Sequence, residues 1–179
     1  MSRRADVGAS VRWAALLRGV SPTNASMPAL AAAFERAGLA NARTVLVSGN
    51  VLFDAPELPE AEIEARCEKA MKRDLGRAFV TIARRVSTLR AMVDDDPFAR
   101  LPVPEGAKRV VSFLRSVPKP SPKLPIERDG AVILARDGCE VFTAYVRSPK
   151  GPVFMVLIEK TFGDGVTTRT WDTVLKLAR

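Results

Sequence analysis

The chain of 179 residues contains no histidine. Histidine is the side chain whose unperturbed pKa lies nearest neutrality, so acid–base catalysis here would need a carboxylate, lysine or cysteine with a shifted pKa. The absence excludes Ser-His-Asp and Cys-His catalysis, and it excludes zinc sites built on imidazole. Oxygen ligands for an ion such as magnesium are the metal chemistry that is left.

Cysteines and long apolar runs are also scarce. Cys67 and Cys139 are the only cysteines, and neither has a neighbour at a metal or redox spacing, so we expect two buried, reduced thiols. No apolar run approaches the roughly 20 residues that span a bilayer, which excludes a membrane protein. Arg3 and Arg4 are not followed by the apolar stretch of a secretory signal. We expect residues 1–10 to be a disordered leader and the protein to be cytoplasmic.

Basic residues exceed acidic ones, 28 against 20, which gives a net charge of +8. Such a field attracts polyanions, but the adjacent basic pairs are scattered along the chain rather than gathered in one run. Two interpretations stay open: a generally solvated basic surface, or a basic patch assembled by folding. Nucleic acid is therefore a possible partner, without an expectation of sequence specificity. The 47% hydrophobic and 27% charged residues are typical of a soluble globular protein.

Hydrophobic spacing in the first half predicts alternating strands and helices. Ser26 is suited to cap a helix with Pro28 in its first turn, and Gly38 is suited to end it. The predicted order is strand 11–17, helix up to residue 37, strands 44–47 and 51–53, helix 63–75 and strand 79–83. This β-α-β-β-α-β order is the split βαβ, or ferredoxin-like, pattern.

The second half gives a weaker version of the same pattern. A short helix at 88–93 should break before Pro97, so we place a connector at 94–106 and a strand at 109–114. Four prolines in residues 117–125 exclude a good first helix there. Further predictions are a hairpin of 131–135 with 140–146 and an amphipathic last helix from Trp171, whereas 154–162 fits helix or strand.

Three separated motifs carry a family resemblance: residues 15–19 (ALLRG), 48–53 (SGNVLF) and 167–177 (TTRTWDTVLKL). Together with Pro97-Phe98 and Phe113-Leu114 between them, they make the chain resemble the bacterial family called domain of unknown function 1697, over about residues 11–177. The resemblance implies an α/β protein of the α+β type with two tandem ferredoxin-like subdomains, which we place at 11–93 and 107–179 on either side of the connector, the second degraded. It also favours a helix at 154–162. It implies no established activity.

The loop after the first strand is the first candidate site. Its backbone N–H groups and the following helix N-terminus could hold an anion, with Arg18 beside Gly19 as counter-charge. Ser48 and Asn50, in the turn of the predicted hairpin, could add neutral hydrogen bonds to the same ligand. The structural alternatives are an Arg18 ion pair and a turn that simply needs glycine and asparagine for its backbone.

The third motif supplies the remaining candidates. Arg169 and Lys176 are credible anion ligands beside Thr168, although they could instead balance nearby carboxylates. Thr170 can cap the last helix, and Trp171 is expected in the core. Residues 94–96 are three consecutive aspartates, which we interpret as a solvated turn, so we expect no metal site.

The leading hypothesis is a cytoplasmic binding module for a small anionic ligand, with Arg18, Ser48, Asn50 and Arg169 converging on one surface. One alternative is a weak nucleic-acid-binding protein, because the RNA-recognition fold has this strand order and stacks bases on sheet aromatics, here Trp13 and Phe53. Another is an enzyme of unknown reaction without histidine-based catalysis, for which no acid and base pair is evident. We expect no resident cofactor, and the oligomeric state is left open.

Overall fold

The computed structural model describes residues 9–179 and contains two antiparallel sheets with helices. The chain divides into two compact units, with the boundary between Leu89 and Arg90. The predicted leader at 1–10 falls almost wholly outside the described residues, and Ser10 already belongs to the first strand. Within the described residues, no helix is both long enough and apolar enough to cross a membrane.

The first unit has the predicted β-α-β-β-α-β order, followed by a third helix. Its four strands are hydrogen-bonded in the order β2-β3-β1-β4, all antiparallel. Its elements are β1 (Ser10–Leu17), α1 (Met27–Arg36), β2 (Ala40–Thr44), β3 (Asn50–Pro56), α2 (Glu60–Leu75), β4 (Thr81–Arg85) and α3 (Val86–Asp95), the last of which contains the boundary.

Local signals set the helix ends of this unit as the sequence predicts. The Ser26 side chain accepts a hydrogen bond from the Ala29 N–H and caps α1, with Pro28 in the first turn. Gly76 ends α2 in the left-handed conformation, at a φ of 73°. Caps of this kind act within one helical turn, which is why the residues alone reveal them.

The predicted strand at 44–47 is wrong, because β2 lies at Ala40–Thr44. The apolar residues at 45–47 suggest a strand, but Leu46 has a φ of 61° and Val47 is 65% exposed, so the pairing ends at Thr44. The strand predicted at 79–83 is shifted in the same way, to Thr81–Arg85.

The core of the first unit lies between its sheet and its helices. Trp13 and Phe53 face each other across β1 and β3, are fully buried, and belong to this core. Phe34 of α1 packs edge-on against Phe53, with ring centroids 5.5 Å apart. Burial removes Trp13 and Phe53 as base-stacking residues, because stacking needs an exposed ring face.

The edge strand β4 is protected by carboxylates of α2. The Glu64 carboxylate accepts from the Ala83 N–H at 3.0 Å, and the Glu68 carboxylate accepts from the Thr81 N–H at 3.0 Å. These glutamates are four residues apart, so they lie on one face of the helix. They satisfy N–H groups that an edge strand otherwise offers to another chain.

The second unit contains a five-stranded antiparallel sheet in the order β6-β7-β8-β5-β9. The interpretation of 154–162 as helix is confirmed, and the strands β6 and β9 are additions to the prediction. Its elements are a 3₁₀ turn at Pro97–Ala99, β5 (Lys108–Phe113), β6 (Ile126–Arg128), β7 (Ala131–Asp137), β8 (Glu140–Tyr145), α4 (Val153–Phe162), β9 (Thr167–Thr170) and α5 (Trp171–Leu177). Phe98 packs against Phe142 and Trp171, so part of the predicted connector belongs to this unit's core.

Candidate functional site at the strand ends of the first unit

The strand ends of the first unit meet around Arg18. The Leu17 N–H donates to the Gly49 carbonyl at 2.8 Å, and the Arg18 N–H donates to the Val80 carbonyl at 2.9 Å. These two bonds join the end of β1 to the segments that lead into β3 and β4. The sheet therefore fixes the backbone of Arg18, and the half-buried side chain projects from this fixed position.

The loop after Arg18 is braced by the side chain of Asn24. The Asn24 amide nitrogen donates to the Gly19 carbonyl at 2.8 Å, and its amide oxygen accepts from the Ser21 N–H at 2.9 Å. Gly19 adopts a φ of 75°, in the region that favours glycine. The two hydrogen bonds of Asn24 stabilise this conformation of the loop, which contains Pro22.

The hairpin loop at 45–49 is organised by Asn50, which is fully buried. The Asn50 amide nitrogen donates to the Val45 carbonyl and to the Ser48 hydroxyl oxygen, each at 3.0 Å, and the Val45 N–H donates to the Asn50 carbonyl at 2.8 Å. The contacts of Asn50 thus shape the loop, whereas Ser48 is exposed at its surface.

Gly49 holds the hairpin loop against the Arg18 loop. A Cβ added to Gly49 would lie 2.9 Å from the Val20 Cβ and 3.1 Å from the Leu17 Cβ, and the residue has a φ of 73°. Only glycine satisfies both the left-handed backbone and this close approach. The Ser-Gly-Asn motif is therefore the joint between the two loops.

Three apolar side chains are exposed at this end of the sheet: Leu46 at 44%, Val47 at 65% and Val80 at 39%. Leu46 also holds a φ of 61°, which is uncommon for a bulky residue. Strained backbone clusters at functional sites, and contiguous exposed apolar patches mark binding surfaces. We call residues 18–24, residues 45–49 and Val80 the strand-end surface.

The candidates of the third motif belong to the second unit. Thr168 hydrogen-bonds with Ser112 at 2.7 Å between hydroxyl oxygens, Lys176 is exposed in the last turn of α5, and Arg169 is 8% exposed. The Arg169 guanidinium donates to the Thr167 hydroxyl at 2.8 Å and to the Thr168 carbonyl at 2.9 Å. Burial lowers the pKa of Arg169 to about 10, so it stays charged at pH 7. That Arg18 and Arg169 share one surface stays a prediction.

Arg169 has a counterpart in the first unit that sequence reasoning missed. Arg84 pairs with Ala14 on β1, and Arg169 pairs with Val111 at the equivalent place on β5. Arg84 is 2% exposed and donates to the carbonyl of the residue before it at 2.8 Å, as Arg169 does. Both arginines are therefore buried at equivalent strand positions, and each donates to the carbonyl of the residue before it.

Arg18 has a counterpart as well, and here the sequence held a signal. Residues 17–20 read LRGV and residues 114–117 read LRSV. The Leu114 N–H donates to the Cys139 carbonyl at 2.8 Å, which is the bond that Leu17 makes to Gly49. Arg115 therefore follows the first strand of the second unit as Arg18 follows β1.

The two cysteines lie in different environments. Cys67 is buried, and burial together with the nearby Glu68 and Glu64 carboxylates raises the pKa of its thiol. Cys139 is partly exposed, which corrects the expectation that it is buried. Across residues 9–179, no group of three or more metal-ligating side chains is placed to hold an ion.

Comparison with known proteins shows a likeness of fold and a family. A solved structure of a conserved bacterial protein from Streptococcus pneumoniae matches with a TM-score of 0.68, covering 95% of this chain and 97% of that chain. The two are 17% identical, so the likeness concerns the fold alone. No curated protein matches the chain. The model of the family described as proteins of unknown function (DUF1697) matches residues 11–131, and the chain belongs to that family.

Proposed function

We propose that this protein is a binding module for a small anionic ligand, held at the strand-end surface with Arg18 as the counter-charge. The observation that carries the proposal is the joined pair of loops, in which Arg18, with its backbone fixed by the sheet, occurs with the exposed side chains of Val47 and of Leu46, whose backbone is strained.

The chemistry of the surface indicates what the ligand contains. Arg18 offers a planar cation that suits carboxylate or phosphate, and the exposed Ser48 hydroxyl offers a neutral hydrogen bond. Leu46 and Val47 offer apolar contact area next to these polar groups. The ligand is therefore an anion with an apolar part. Asn50 and Gly49 position the loop, and we do not assign them contacts with the ligand.

We also propose that each unit has a ferredoxin-like fold. In the second unit we count β5, β7, β8 and β9 as the first to fourth strands and β6 as an extra edge strand. The hydrogen-bonded order is then second-third-first-fourth in both units. Each unit also ends in a helix directly after its last strand. These shared features support two ferredoxin-like units in tandem, the second without its first helix. The cytoplasmic location is part of the proposal too.

Thermal unfolding with butyl phosphate, which carries both an anion and an apolar chain, tests the proposal. A ligand at 100 times its Kd stabilises the folded state by about 2.7 kcal/mol, so the wild-type midpoint should rise clearly. Arg18→Ala should remove that rise, while changing the stability of the free protein by only about 0–1 kcal/mol.

A matched variant controls for loss of charge. Arg66 lies on the exposed face of α2 in an ion pair with Glu62, so Arg66→Ala removes one positive charge from the same unit without touching the strand-end surface. It should keep the ligand response, and Val47→Ser should weaken it. Equal responses from wild type and Arg18→Ala would refute the proposal.

A further inference from the structure

A cavity of about 230 Å³ lies at the strand end of the second unit, at the place that corresponds to the Arg18 loop. Leu114 and Val166 form its buried floor, and Phe162 at the end of α4 forms a half-buried wall. Arg115, Ser116 and Gly165 line its exposed rim. The cavity therefore combines an apolar interior with a cation and a hydroxyl at its mouth.

The cavity follows from how the second unit departs from the first. In the first unit α2 packs on β4, whereas in the second unit α4 packs on β6, β7 and β8. The first helix has no counterpart, because the four prolines of residues 117–125 prevent one. The end of the β5–β9 pair therefore lacks the packing that α2 gives β4 in the first unit, and α4 reaches the cavity there through its last residue, Phe162.

The mouth of the cavity is open because the second unit has glycine at a position where the first unit has valine. Val80 immediately precedes Thr81, which pairs with Leu17. In the second unit the same register places Gly165 at the position equivalent to Val80. Val80 is an exposed side chain at the strand-end surface, but Gly165 has no side chain and no atom within 4 Å of where a Cβ would stand. The second unit therefore has open space where the first has an isopropyl group.

We propose that this cavity, which we call the Arg115 cavity, is a second binding site, for a small organic anion with a short apolar chain. Arg115 and Ser116 take the carboxylate or phosphate, and Leu114, Phe162 and Val166 take the chain. At roughly 30 Å³ for each water-sized group, the volume admits about eight such groups, fewer than a drug-sized ligand has. The site belongs to the second unit alone and does not depend on the proposal for Arg18.

Titrations of ¹⁵N-labelled full-length protein with butyrate and with butyl phosphate test the site, with 1-butanol as the neutral probe. The amide signals of Arg115, Ser116 and Gly165 should shift in a saturable way with at least one of the anions. Arg115→Ala should weaken the binding at least tenfold. Butanol should bind at least tenfold more weakly than the better anion, because it lacks the charge that Arg115 neutralises.

Gly165→Val is the sharper variant, since it introduces the residue of the first unit into space that can hold it. It should abolish the shifts at the cavity while leaving the unfolding midpoint within about 2 °C of wild type. Arg147 is an exposed arginine of the same unit, near the far end of β8. Arg147→Ala and Arg18→Ala should both leave the cavity titration unchanged.

Several results would overturn the inference. These are no saturable shift with either anion up to 50 mM, unchanged binding in Gly165→Val, and equal affinity for butanol. Loss of binding in Arg18→Ala with retention in Arg115→Ala would refute the cavity while supporting the strand-end surface. Loss of binding in Arg115→Ala with retention in Arg18→Ala would support the cavity and would exclude the strand-end surface as the site of this binding.

Discussion

Asn50 is the residue whose replacement most directly tests the account of the hairpin loop. Its amide nitrogen makes two hydrogen bonds at 3.0 Å and the side chain is fully buried. Neutral hydrogen bonds contribute about 1 kcal/mol each, and truncation of a buried side chain adds a small cavity cost. Asn50→Ala should therefore lower the free energy of unfolding by about 2–3 kcal/mol.

Urea denaturation measures this change. With a slope of about 2 kcal/mol per molar, the midpoint should fall by about 1 M. Asn50→Asp keeps the size of the side chain but turns a carboxylate oxygen toward the Val45 carbonyl, so it should destabilise the unit at least as much. Ser48→Ala is the matched control, because Ser48 is exposed and accepts only one of the two bonds.

The loop account fails if Asn50→Ala shifts the free energy of unfolding by less than about 0.5 kcal/mol, the range of ordinary surface substitutions. It also fails if Ser48→Ala is the more destabilising variant. If the account is right, Ser48→Ala should instead reduce ligand binding with little change in stability, and the two roles would be separated experimentally.

Three further predictions follow from burial, charge and titration. In the native protein a thiol reagent at pH 8 should modify Cys139 but not Cys67, whose buried thiol has a raised pKa, and two fast-reacting thiols would contradict the core packing. Burial opposes ionisation of Asp54, but hydrogen bonds from Asn41 and Arg12 outweigh it and lower its pKa. The stabilising contribution of this carboxylate is therefore present above the ordinary pKa of about 3.9, and it is lost as pH falls through the lower folded-state pKa. Asp54→Asn should flatten the acid limb of a stability–pH curve, and an unchanged limb would exclude this role. Binding to single-stranded RNA should be weak and fall steeply with salt, since Trp13 and Phe53 are buried, and tight binding that survives about 0.2 M salt would instead favour the nucleic-acid alternative.

Features set by neighbouring residues could be predicted from the sequence. Ser26 and Thr170 cap their helices by accepting from N–H groups three residues ahead, and Gly76 ends α2. The family assignment was predictable for a related reason, since its motifs are short and local. The order of strands and helices in the first unit followed from hydrophobic spacing, whereas spacing left α4 open between helix and strand, and the family resemblance favoured the helix.

Contacts between distant segments decided the rest. Residues 45–47 have the composition of a strand, but the bonds of Asn50 and the contact of Gly49 with Val20 make them part of a loop. Arg169 looks like a surface cation in the sequence, yet pairing of β9 with β5 buries it. The Arg115 cavity lies at the end of the β5–β9 pair, which lacks the helix packing that α2 gives β4 in the first unit. Caps and turns depend on a few adjacent residues, whereas burial and cavities depend on which distant segments meet, and only the tertiary structure determines that.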